Sequence, residues 1–381
     1  MNSDAKDLLV KLINCKSVTP NDDGALSVIE NALNANNFKC ERLIFGSGDE
    51  KVQNLFARLG NKSPHICFAG HSDVVPEGDI KHWEFSPFDG EISDGKIFGR
   101  GAVDMKGSIA SYLSAAIDWI KKNKSFDGSI SFLITGDEEG PAINGTRKVL
   151  EWMEANGQIP DMCVVGEPTN TTKVGDTIKI GRRGSLNGNL TVYGEQGHVA
   201  YPHLALNPFP ILMKMLEPLL EGELDKGTKS FPPTNASITS IDTGNNAVNV
   251  IPSSVKAKFN IRFNDSQDKE KLESFLKSHF DEVYKNYEIE FSCNAEPFLT
   301  KPGKLIDVIK SAIFKKTNIL ADLSTTGGTS DARFISQFCP VVEFGLVGKT
   351  MHQINENVLI DDLNLLSEIY YEFLNEIFLA N

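Results

Sequence analysis

The 381-residue sequence lacks the features that mark exported and membrane proteins. No apolar run approaches the roughly 20 residues that a membrane-spanning helix needs. The N-terminal segment MNSDAKDLLVKL also lacks the basic-then-apolar order of a secretory signal. We therefore expect a cytoplasmic protein with no membrane partner.

Positive charge is scarce. There are 38 Lys and Arg residues against 51 Asp and Glu residues, which gives a formal net charge of −13. Nucleic acids and anionic membranes bind basic surfaces, so we expect neither as a partner. A small anionic substrate stays open, because it responds to local charge rather than to the total.

Cysteine is sparse and scattered, and no pair has C-x-x-C spacing. We therefore expect reduced thiols rather than structural disulfides or a cysteine-rich zinc site. The sequence also lacks the Gly-x-Ser-x-Gly elbow of many serine hydrolases. The cysteines are Cys15, Cys40, Cys67, Cys163, Cys293 and Cys339.

What is present indicates a soluble globular protein, since 40% of the residues are hydrophobic and 23% are charged. The length of 381 residues predicts two compact units or one domain with a large insertion. Strand patterns at residues 65–69, 129–135 and 162–165 alternate with helical spacing, as at residues 107–121. This alternation predicts an α/β layer with helices on both faces of a sheet.

The pattern changes near residue 179. From there to residue 293 the predicted order is β-α-β-β-α-β, which is typical of a ferredoxin-like α+β domain with its own sheet. Helix and strand patterns then alternate again to the end of the chain. We predict a discontinuous catalytic domain, residues 1–178 and 294–381, interrupted by an inserted domain at residues 179–293.

A histidine and an aspartate follow one of the strand patterns. His71 and Asp73 come directly after the apolar run at residues 65–69, and α/β sheets present ligands and catalytic groups at the carboxyl ends of strands. Asp73 could orient His71 through a hydrogen bond, as carboxylates do for many metal-bound histidines. A polar turn without such a role is an equally good interpretation of this pair alone.

Asp104 stands in the motif Gly99-Arg-Gly-Ala-Val-Asp-Met-Lys-Gly107, at the start of a predicted helix. The position of the third glycine of a dinucleotide fingerprint is occupied by Asp104, so the motif does not indicate a nucleotide site. A carboxylate there offers two oxygens and can bridge two cations. Simple capping of the helix is the alternative.

Three further motifs add candidate ligands. Glu138 and Glu139 follow the strand at residues 129–135, Glu167 follows the strand at residues 162–165, and His352 occurs late in the chain. Adjacent glutamates point in different directions, so one can bind metal while the other acts as a base. Taken singly, these motifs are also typical of exposed acidic turns and of a surface histidine.

The shared position of these residues favours a metal site. A parallel sheet would collect them in one cleft, where their carboxylates repel each other unless cations compensate. Mixed histidine and carboxylate ligands favour zinc, with cobalt or manganese as substitutes. We therefore predict two Zn²⁺ ions among the carboxylates Asp73, Asp104, Glu138, Glu139 and Glu167.

One histidine of the inserted domain is a candidate for catalysis. His198 is flanked by Gly197 and small residues and is a plausible donor to a developing oxyanion. His65, His82 and His279 are predicted to be structural or solvent-exposed.

In these motifs the sequence resembles the zinc aminoacylase and carboxypeptidase superfamily, in the same order and over nearly the whole chain. The stretches Ile180–Ser185 and Gln196–His203 are similar to those of the members that hydrolyse N-succinyl-LL-2,6-diaminopimelate. The resemblance rests on His71-Ser-Asp-Val-Val-Pro-Glu-Gly-Asp79, Gly99-Arg-Gly-Ala-Val-Asp-Met-Lys-Gly107, Thr135-Gly-Asp-Glu-Glu-Gly-Pro141, Val165-Gly-Glu-Pro-Thr169, Ile180-Gly-Arg-Arg-Gly-Ser185, Gln196-Gly-His-Val-Ala-Tyr-Pro-His203, Asn249-Val-Ile-Pro252 and Gly327-Gly-Thr-Ser-Asp331.

The resemblance implies a role for each metal-site residue. One zinc would be held by His71 and Glu167, and the other by Glu139 and His352. Asp104 would bridge the two ions. Asp73 would support His71, and Glu138 would be the general base.

The resemblance also implies a substrate and an assembly. The products would be succinate and LL-2,6-diaminopimelate, in bacterial lysine and cell-wall synthesis. The inserted domain would mediate homodimerisation and carry His198 to the partner's active site. Substrate carboxylates or amines would be contacted by Arg182, Asn249, Arg262 and Thr329.

Two alternatives remain at this stage. A sibling enzyme, such as an acetylornithine deacetylase or an aminoacyl peptidase, would use the same metal site on another substrate. A binding protein that has lost hydrolysis would keep the fold, but retention of all five ligands and Glu138 argues against it.

Overall fold

The computed structural model describes residues 5–220 and 222–379. The helices are α1 (Ala5–Ile13), α2 (Ala25–Asn34), α3 (Lys106–Lys122), α4 (Thr146–Ala155), α5 (Pro208–Leu220), α6 (Lys269–Val283), α7 (Lys304–Thr317), α8 (Ala332–Ile335) and α9 (Ile360–Phe378). The strands are β1 (Lys39–Phe45), β2 (Val52–Gly60), β3 (His65–His71), β4 (Ile92–Ser93), β5 (Lys96–Phe98), β6 (Ser129–Thr135), β7 (Met162–Val165), β8 (Thr177–Lys179), β9 (Gly181–Arg182), β10 (Gly184–Tyr193), β11 (Gly197–His198), β12 (Asn235–Asp242), β13 (Val250–Ile251), β14 (Ser254–Phe263), β15 (Tyr287–Ala295), β16 (Phe298–Leu299), β17 (Asp322–Ser324), β18 (Val341–Glu343) and β19 (Asn357–Leu359).

The chain divides into two compact units. The first, which we call the catalytic unit, contains residues 1–180, 300–324 and 330–381. The second, which we call the inserted unit, contains residues 181–299 and 325–329.

A mixed sheet runs through the catalytic unit in the order β1-β2-β6-β3-β7-β18-β8-β17. Its centre is parallel: β3 pairs in parallel with β6 on one side and with β7 on the other, and β18 pairs in parallel with β7. The expected α/β layer with helices is confirmed, and its sheet is mixed rather than wholly parallel, since β2 pairs antiparallel with both β1 and β6.

The central strands are apolar throughout because they are buried on both faces. Every residue of β3 and of β6 is buried, as is typical of parallel strands covered by helices. The ring of Phe68 on β3 stacks on Tyr112 of α3 at 4.4 Å between centroids. The carboxyl ends of these strands are therefore held at fixed positions by a packed core.

The inserted unit has its own core. Its antiparallel sheet has the order β12-β14-β10-β15, and α5 and α6 supply the helices, so the element order matches the β-α-β-β-α-β pattern expected from the sequence. Along β14 buried residues alternate with more exposed ones, as in a sheet with one covered face. Leu272, Leu276 and Phe280 form the buried face of α6.

The boundaries of the inserted unit differ from the predicted 179–293. Residue 293 lies inside β15, and the unit ends only after β16, where Phe298 pairs with Arg182 of β9. Residues 325–329 also belong to this unit, since Thr325 Oγ1 donates to the Ser230 carbonyl at 2.6 Å. These contacts join residues far apart in the sequence, so the local periodicity of the sequence could not predict the boundaries of the unit. Within the described residues no helix is both long and apolar enough to span a membrane.

Candidate metal centre

The candidate ligands of the catalytic unit lie at one edge of its sheet. His71 is the last residue of β3, Glu138 and Glu139 follow β6, and Glu167 follows β7. His352 lies on the segment that follows β18. The strands β6, β3, β7 and β18 are adjacent and parallel, so the residues that follow them emerge at the same edge.

Asp104 stands between the two histidines. It lies two residues before α3, and its side chain is buried. Its Oδ1 is 3.2 Å from Nε2 of His71, and its Oδ2 is 3.1 Å from Nε2 of His352. Each carboxylate oxygen thus faces a different imidazole, which is the geometry a bridging ligand needs.

Two further carboxylates complete the cluster. Glu167 Oε1 is 4.0 Å from Nε2 of His71, and Glu139 Oε1 is 2.9 Å from Nε2 of His352. The donor atoms of His71, Asp104 and Glu167 lie within 4.8 Å of one another, as do those of Asp104, Glu139 and His352. The structure thus brings together all five residues that the sequence singles out as metal ligands.

The side chain of Asp73 does not do what the sequence suggests. Nδ1 of His71 makes its hydrogen bond, 2.9 Å long, with the backbone carbonyl of Asp73, while the carboxylate Oδ1 is 3.8 Å from that nitrogen. The Asp73 carboxylate instead accepts the backbone N–H groups of Glu138 and Glu139, at 3.3 and 3.1 Å. Asp73 therefore orients His71 through its main chain and fixes the acidic loop with its side chain.

This hydrogen bond also decides the tautomer of His71. A carbonyl oxygen can only accept, so the neutral imidazole carries its proton on Nδ1. In this neutral form, which is the one that binds metal, Nε2 presents a lone pair on the side of Asp104 and Glu167. Metal-bound histidines have the same arrangement: the ring nitrogen that does not bind the metal donates a hydrogen bond to a carbonyl or a carboxylate.

The carboxylates raise the pKa values of both histidines. Burial lowers the pKa of His71, but its contact with Asp104 and the neighbouring negative charges outweigh burial, and the pKa lies well above its usual value. Contacts with Asp104 and Glu139 raise the pKa of His352 to about 10. The cluster of carboxylates therefore favours positive charge beside both imidazoles.

Glu138 lies beside the candidate ligands, in surroundings that raise its pKa. A ligand atom of its side chain lies within 4.8 Å of those of His71 and Glu139. Burial, and then the negative charge of Glu167, raise its pKa well above the usual value. A carboxyl group with a raised pKa next to a metal site is suited to general acid–base work.

The residues fit two divalent cations. The donor set is two imidazole nitrogens and several carboxylate oxygens, which zinc accepts in catalytic sites. Oδ1 of Asp104 is buried, and among the described residues no donor makes a hydrogen bond of good geometry to it. A cation between Asp104 and each histidine would satisfy that oxygen and replace the two protons.

The predicted substrate contacts and His198 all belong to the inserted unit. Arg182 is buried and donates through Nη1 to the carbonyl of Thr326 at 3.2 Å. Arg262 lies on β14, opposite Ser185 of β10. Asn249 and His198 are exposed, and Thr329 is half-buried.

Sequence reasoning missed two residues that contact the main chain of the candidate ligands Asp104 and His352. Arg100 and Glu356 are fully buried and paired at 2.8 Å. Both stand inside motifs whose sequence signal comes from their neighbours Asp104 and His352. A charged residue within a polar motif gives no sign of burial, so their contacts could not be predicted.

Curated relatives match nearly the whole chain. A succinyl-diaminopimelate desuccinylase from Rhodospirillum centenum is 53% identical over 94% of this chain and 93% of its own length. A protein of the same name from Beijerinckia indica is 50% identical over 99% of this chain and 100% of its own length. Another, from Orientia tsutsugamushi, is 48% identical and covers 98% of this chain and 96% of its own length.

Solved structures share the fold at much lower identity. A metallo-carboxypeptidase of the M20 family from Sulfolobus solfataricus superposes with a TM-score of 0.80 at 19% identity, over 97% of this chain and 98% of its own. A dinuclear metal-binding peptidase of that family from Bacillus subtilis has a TM-score of 0.68 at 16% identity, over 97% and 98% of the two chains. The model of peptidase family M20/M25/M40 matches residues 67–376 of this sequence. The chain therefore belongs to the peptidase family M20/M25/M40.

Proposed function

We propose that this chain hydrolyses N-succinyl-LL-2,6-diaminopimelate to LL-2,6-diaminopimelate and succinate, in bacterial lysine and cell-wall synthesis. The observation that carries the proposal is that curated relatives about half identical over nearly the full length bear the name of this activity. The cluster of histidines and carboxylates supports a metal-dependent amide hydrolase.

Two zinc ions are the proposed cofactors, and cobalt is a proposed substitute. His71 and Glu167 would hold one ion, Glu139 and His352 the other, and Asp104 would bridge them. When bound, the ions would polarise the amide carbonyl and lower the pKa of the attacking water.

Glu138 is the proposed general base. Its carboxylate takes a proton from the attacking water as the water oxygen bonds to the amide carbon. The same carboxyl group then gives that proton to the leaving nitrogen as the C–N bond breaks, which yields succinate and a free amine. Its position beside His71 and Glu139 supports both steps, and its raised pKa favours holding the proton between them.

His198 is the proposed donor to the oxygen that develops negative charge. The backbone N–H of Ala200 donates to Nδ1 of His198 at 3.0 Å. Nδ1 is therefore an acceptor, and the neutral imidazole carries its proton on the exposed Nε2. This tautomer can donate a hydrogen bond to an oxyanion.

Arginines of the inserted unit are the proposed contacts for substrate carboxylates. Burial lowers the pKa of Arg262, and its Nη1 is buried without a hydrogen-bond partner among the described residues. Burial and then the positive charge of Arg262 lower the pKa of Arg183. Two neighbouring guanidinium groups favour a carboxylate, for which their paired donors are suited. Arg182, Asn249 and Thr329 are proposed to contact the remaining charged groups of the substrate.

A homodimer is the proposed assembly, with the inserted unit as its interface. This part of the proposal rests on the family resemblance, and the inserted unit exposes large apolar side chains, among them Leu204, Met213 and Val248. Sedimentation of the purified protein should give twice the mass of one chain. A monomer at micromolar concentration would contradict this part of the proposal.

A set of hydrolysis assays tests the function. The purified protein should release succinate from N-succinyl-LL-2,6-diaminopimelate, lose that activity in a chelator and regain it when zinc is added back. Acetylornithine and a dipeptide, assayed side by side, test the sibling activities. A higher kcat/KM on either of these would overturn the assigned substrate while leaving the metal site in place.

A further inference from the structure

A buried ion pair connects the two segments that carry Asp104 and His352. Nη1 of Arg100 donates to Oε2 of Glu356 at 2.8 Å, and both side chains are almost completely excluded from solvent. The guanidinium carbon also lies 5.3 Å from the centre of the Trp83 ring. We call these two residues the Arg100–Glu356 pair.

Glu356 holds the main chain of the bridging carboxylate. Its Oε1 accepts the backbone N–H groups of Val103 and Asp104, at 2.9 and 3.1 Å. Glu356 is more than 250 positions away from Val103 and Asp104 in the sequence, so these hydrogen bonds depend on the tertiary fold. It fixes the backbone from which the Asp104 side chain projects.

Arg100 holds the main chain of the histidine segment. Its guanidinium donates to the carbonyls of Gln353 and His352, at 3.1 and 3.5 Å. His352 has a positive φ of 60°, in the left-handed region that non-glycine residues seldom adopt. Hydrogen bonds to its carbonyl and to the next one help to hold this conformation.

We propose that the Arg100–Glu356 pair is a positioning device that sets the distance between Asp104 and His352, and with it the affinity of the metal ion shared by Asp104, Glu139 and His352. This inference rests on the proposed function. Glu356 is in none of the groups of carboxylate and histidine residues that could hold a metal ion, and Arg100 is a cation. The pair acts instead on the two backbones, so that Oδ2 of Asp104 and Nε2 of His352 face each other at 3.1 Å.

The chemistry of the pair favours positioning over bulk stability. Two charges lose their favourable hydration when they are buried, and this cost offsets most of the attraction between them. A buried ion pair therefore contributes little net stability. Its value lies in geometry, because the planar guanidinium directs donors at Glu356 and at three backbone carbonyls, those of Gln353, His352 and Pro76. Contacts that support a metal ligand without touching the metal typically lower metal affinity by about 10- to 100-fold when they are removed.

Zinc titration of the chelator-treated protein tests the proposal. The variants are Arg100→Lys, which keeps the charge but loses the planar fork, and Glu356→Gln, which keeps the shape but removes the charge. His352→Ala identifies which of the two zinc affinities belongs to the Asp104, Glu139 and His352 group. The control is Glu30→Gln, which breaks an Arg–Glu pair of the same 2.8 Å length with Arg42 elsewhere in the catalytic unit.

We expect Arg100→Lys and Glu356→Gln to weaken zinc binding at the Asp104, Glu139 and His352 group by about 10- to 100-fold, and at the other group by less than about tenfold. Glu30→Gln should bind zinc like the wild type. Folding is checked by circular dichroism, and Arg100→Lys, the milder change, decides the matter if Glu356→Gln does not fold. Equal weakening of both sites, or of neither, would overturn the positioning role. A wild-type protein that binds no zinc would instead overturn the proposed function.

Discussion

Among single residues, the two adjacent glutamates after β6 have different surroundings. Glu139 faces His352 at 2.9 Å, whereas the carboxyl group of Glu138 has a raised pKa because of burial and of Glu167. Asp73 holds the backbone N–H groups of both residues and so fixes their separate directions. This difference in environment supports the proposal that Glu139 binds metal and Glu138 moves protons.

Glu138→Ala should therefore lower kcat by about 10²- to 10⁴-fold, the usual contribution of a general base. Bound zinc, measured on the purified protein, should stay at the wild-type level because Glu138 is not a proposed ligand. Glu151→Gln, an exposed change on α4, serves as the control and should leave kcat unchanged. Loss of zinc from the Glu138 variant would mean that this residue is a ligand.

A second residue, His65, links stability to pH outside the metal site. Its Nε2 lies 2.8 Å from Ser131 Oγ, and burial followed by the charge of Arg58 lowers its pKa from 6.5 to about 4. The unfolded chain therefore takes up this proton at a higher pH than the folded protein does. The stabilising contribution of neutral His65 is fully present above about pH 6.5 and is lost as the pH drops from 6.5 to 4.

Between pH 7 and 4.5 the free energy of unfolding should fall by about 2–3 kcal/mol more in the wild type than in His65→Gln. Urea titrations in the presence of a chelator can follow tryptophan fluorescence, since Trp83, Trp119 and Trp152 all lie in the catalytic unit. His82→Gln, at an exposed position, should behave like the wild type. Parallel pH curves for the wild type and His65→Gln would rule out this role of His65.

At the scale of elements, the candidate metal centre depends on a close approach between the segments that come directly after β7 and β18. Phe344 N–H donates to the carbonyl of Val165 at 2.9 Å, just beyond the paired strands. A Cβ on Gly345 would lie 2.3 Å from the carbonyl oxygen of Gly166 and 2.4 Å from that of Glu167. Only glycine lets the two segments approach so closely, and Glu167 takes its position from that approach.

Gly345→Ala should push the two segments apart and destabilise the catalytic unit by about 1–3 kcal/mol, the usual cost of overpacking. Zinc affinity at the group of His71, Asp104 and Glu167 should fall in the same variant. Urea unfolding and zinc titration measure the two effects. Gly303→Ala is a matched control because its Cβ would lie 3.9 Å from the nearest atom, the Lys301 carbonyl oxygen. Wild-type stability in Gly345→Ala would show that the segments can move apart freely.

At the scale of the whole molecule, the two units have separate cores. Phe68, Tyr112 and Tyr370 belong to the core of the catalytic unit, and Leu186 and Phe259 to that of the inserted unit. The candidate ligands all lie in the catalytic unit. Metal binding should therefore stabilise one unit and leave the other unchanged.

Zinc at 100 times its dissociation constant should stabilise the catalytic unit by about 2.7 kcal/mol. Hydrogen exchange followed by mass spectrometry should show slower exchange in the segments after β3, β6 and β7 when zinc is added to chelator-treated protein. Peptides from β10 and β14 should exchange at the same rate with and without zinc. Equal protection of both units would contradict the assignment of the metal to the catalytic unit.

Much of this protein could be predicted from its sequence because the decisive signals are local. The runs at residues 65–69, 129–135 and 162–165 are apolar because their strands are buried on both faces, and they appear as β3, β6 and β7. In an α/β sheet the residues just after such strands meet at one edge. The sequence alone therefore identifies His71, Glu139 and Glu167 as neighbours.

Only the tertiary structure decided how these residues are held. The Asp73 carboxylate binds the acidic loop rather than His71, and Glu356 accepts N–H groups from residues more than 250 positions away. Residues 325–329 join the inserted unit through Ser230. Such contacts depend on which segments the fold brings together, and local residue patterns hold no information about partners that distant.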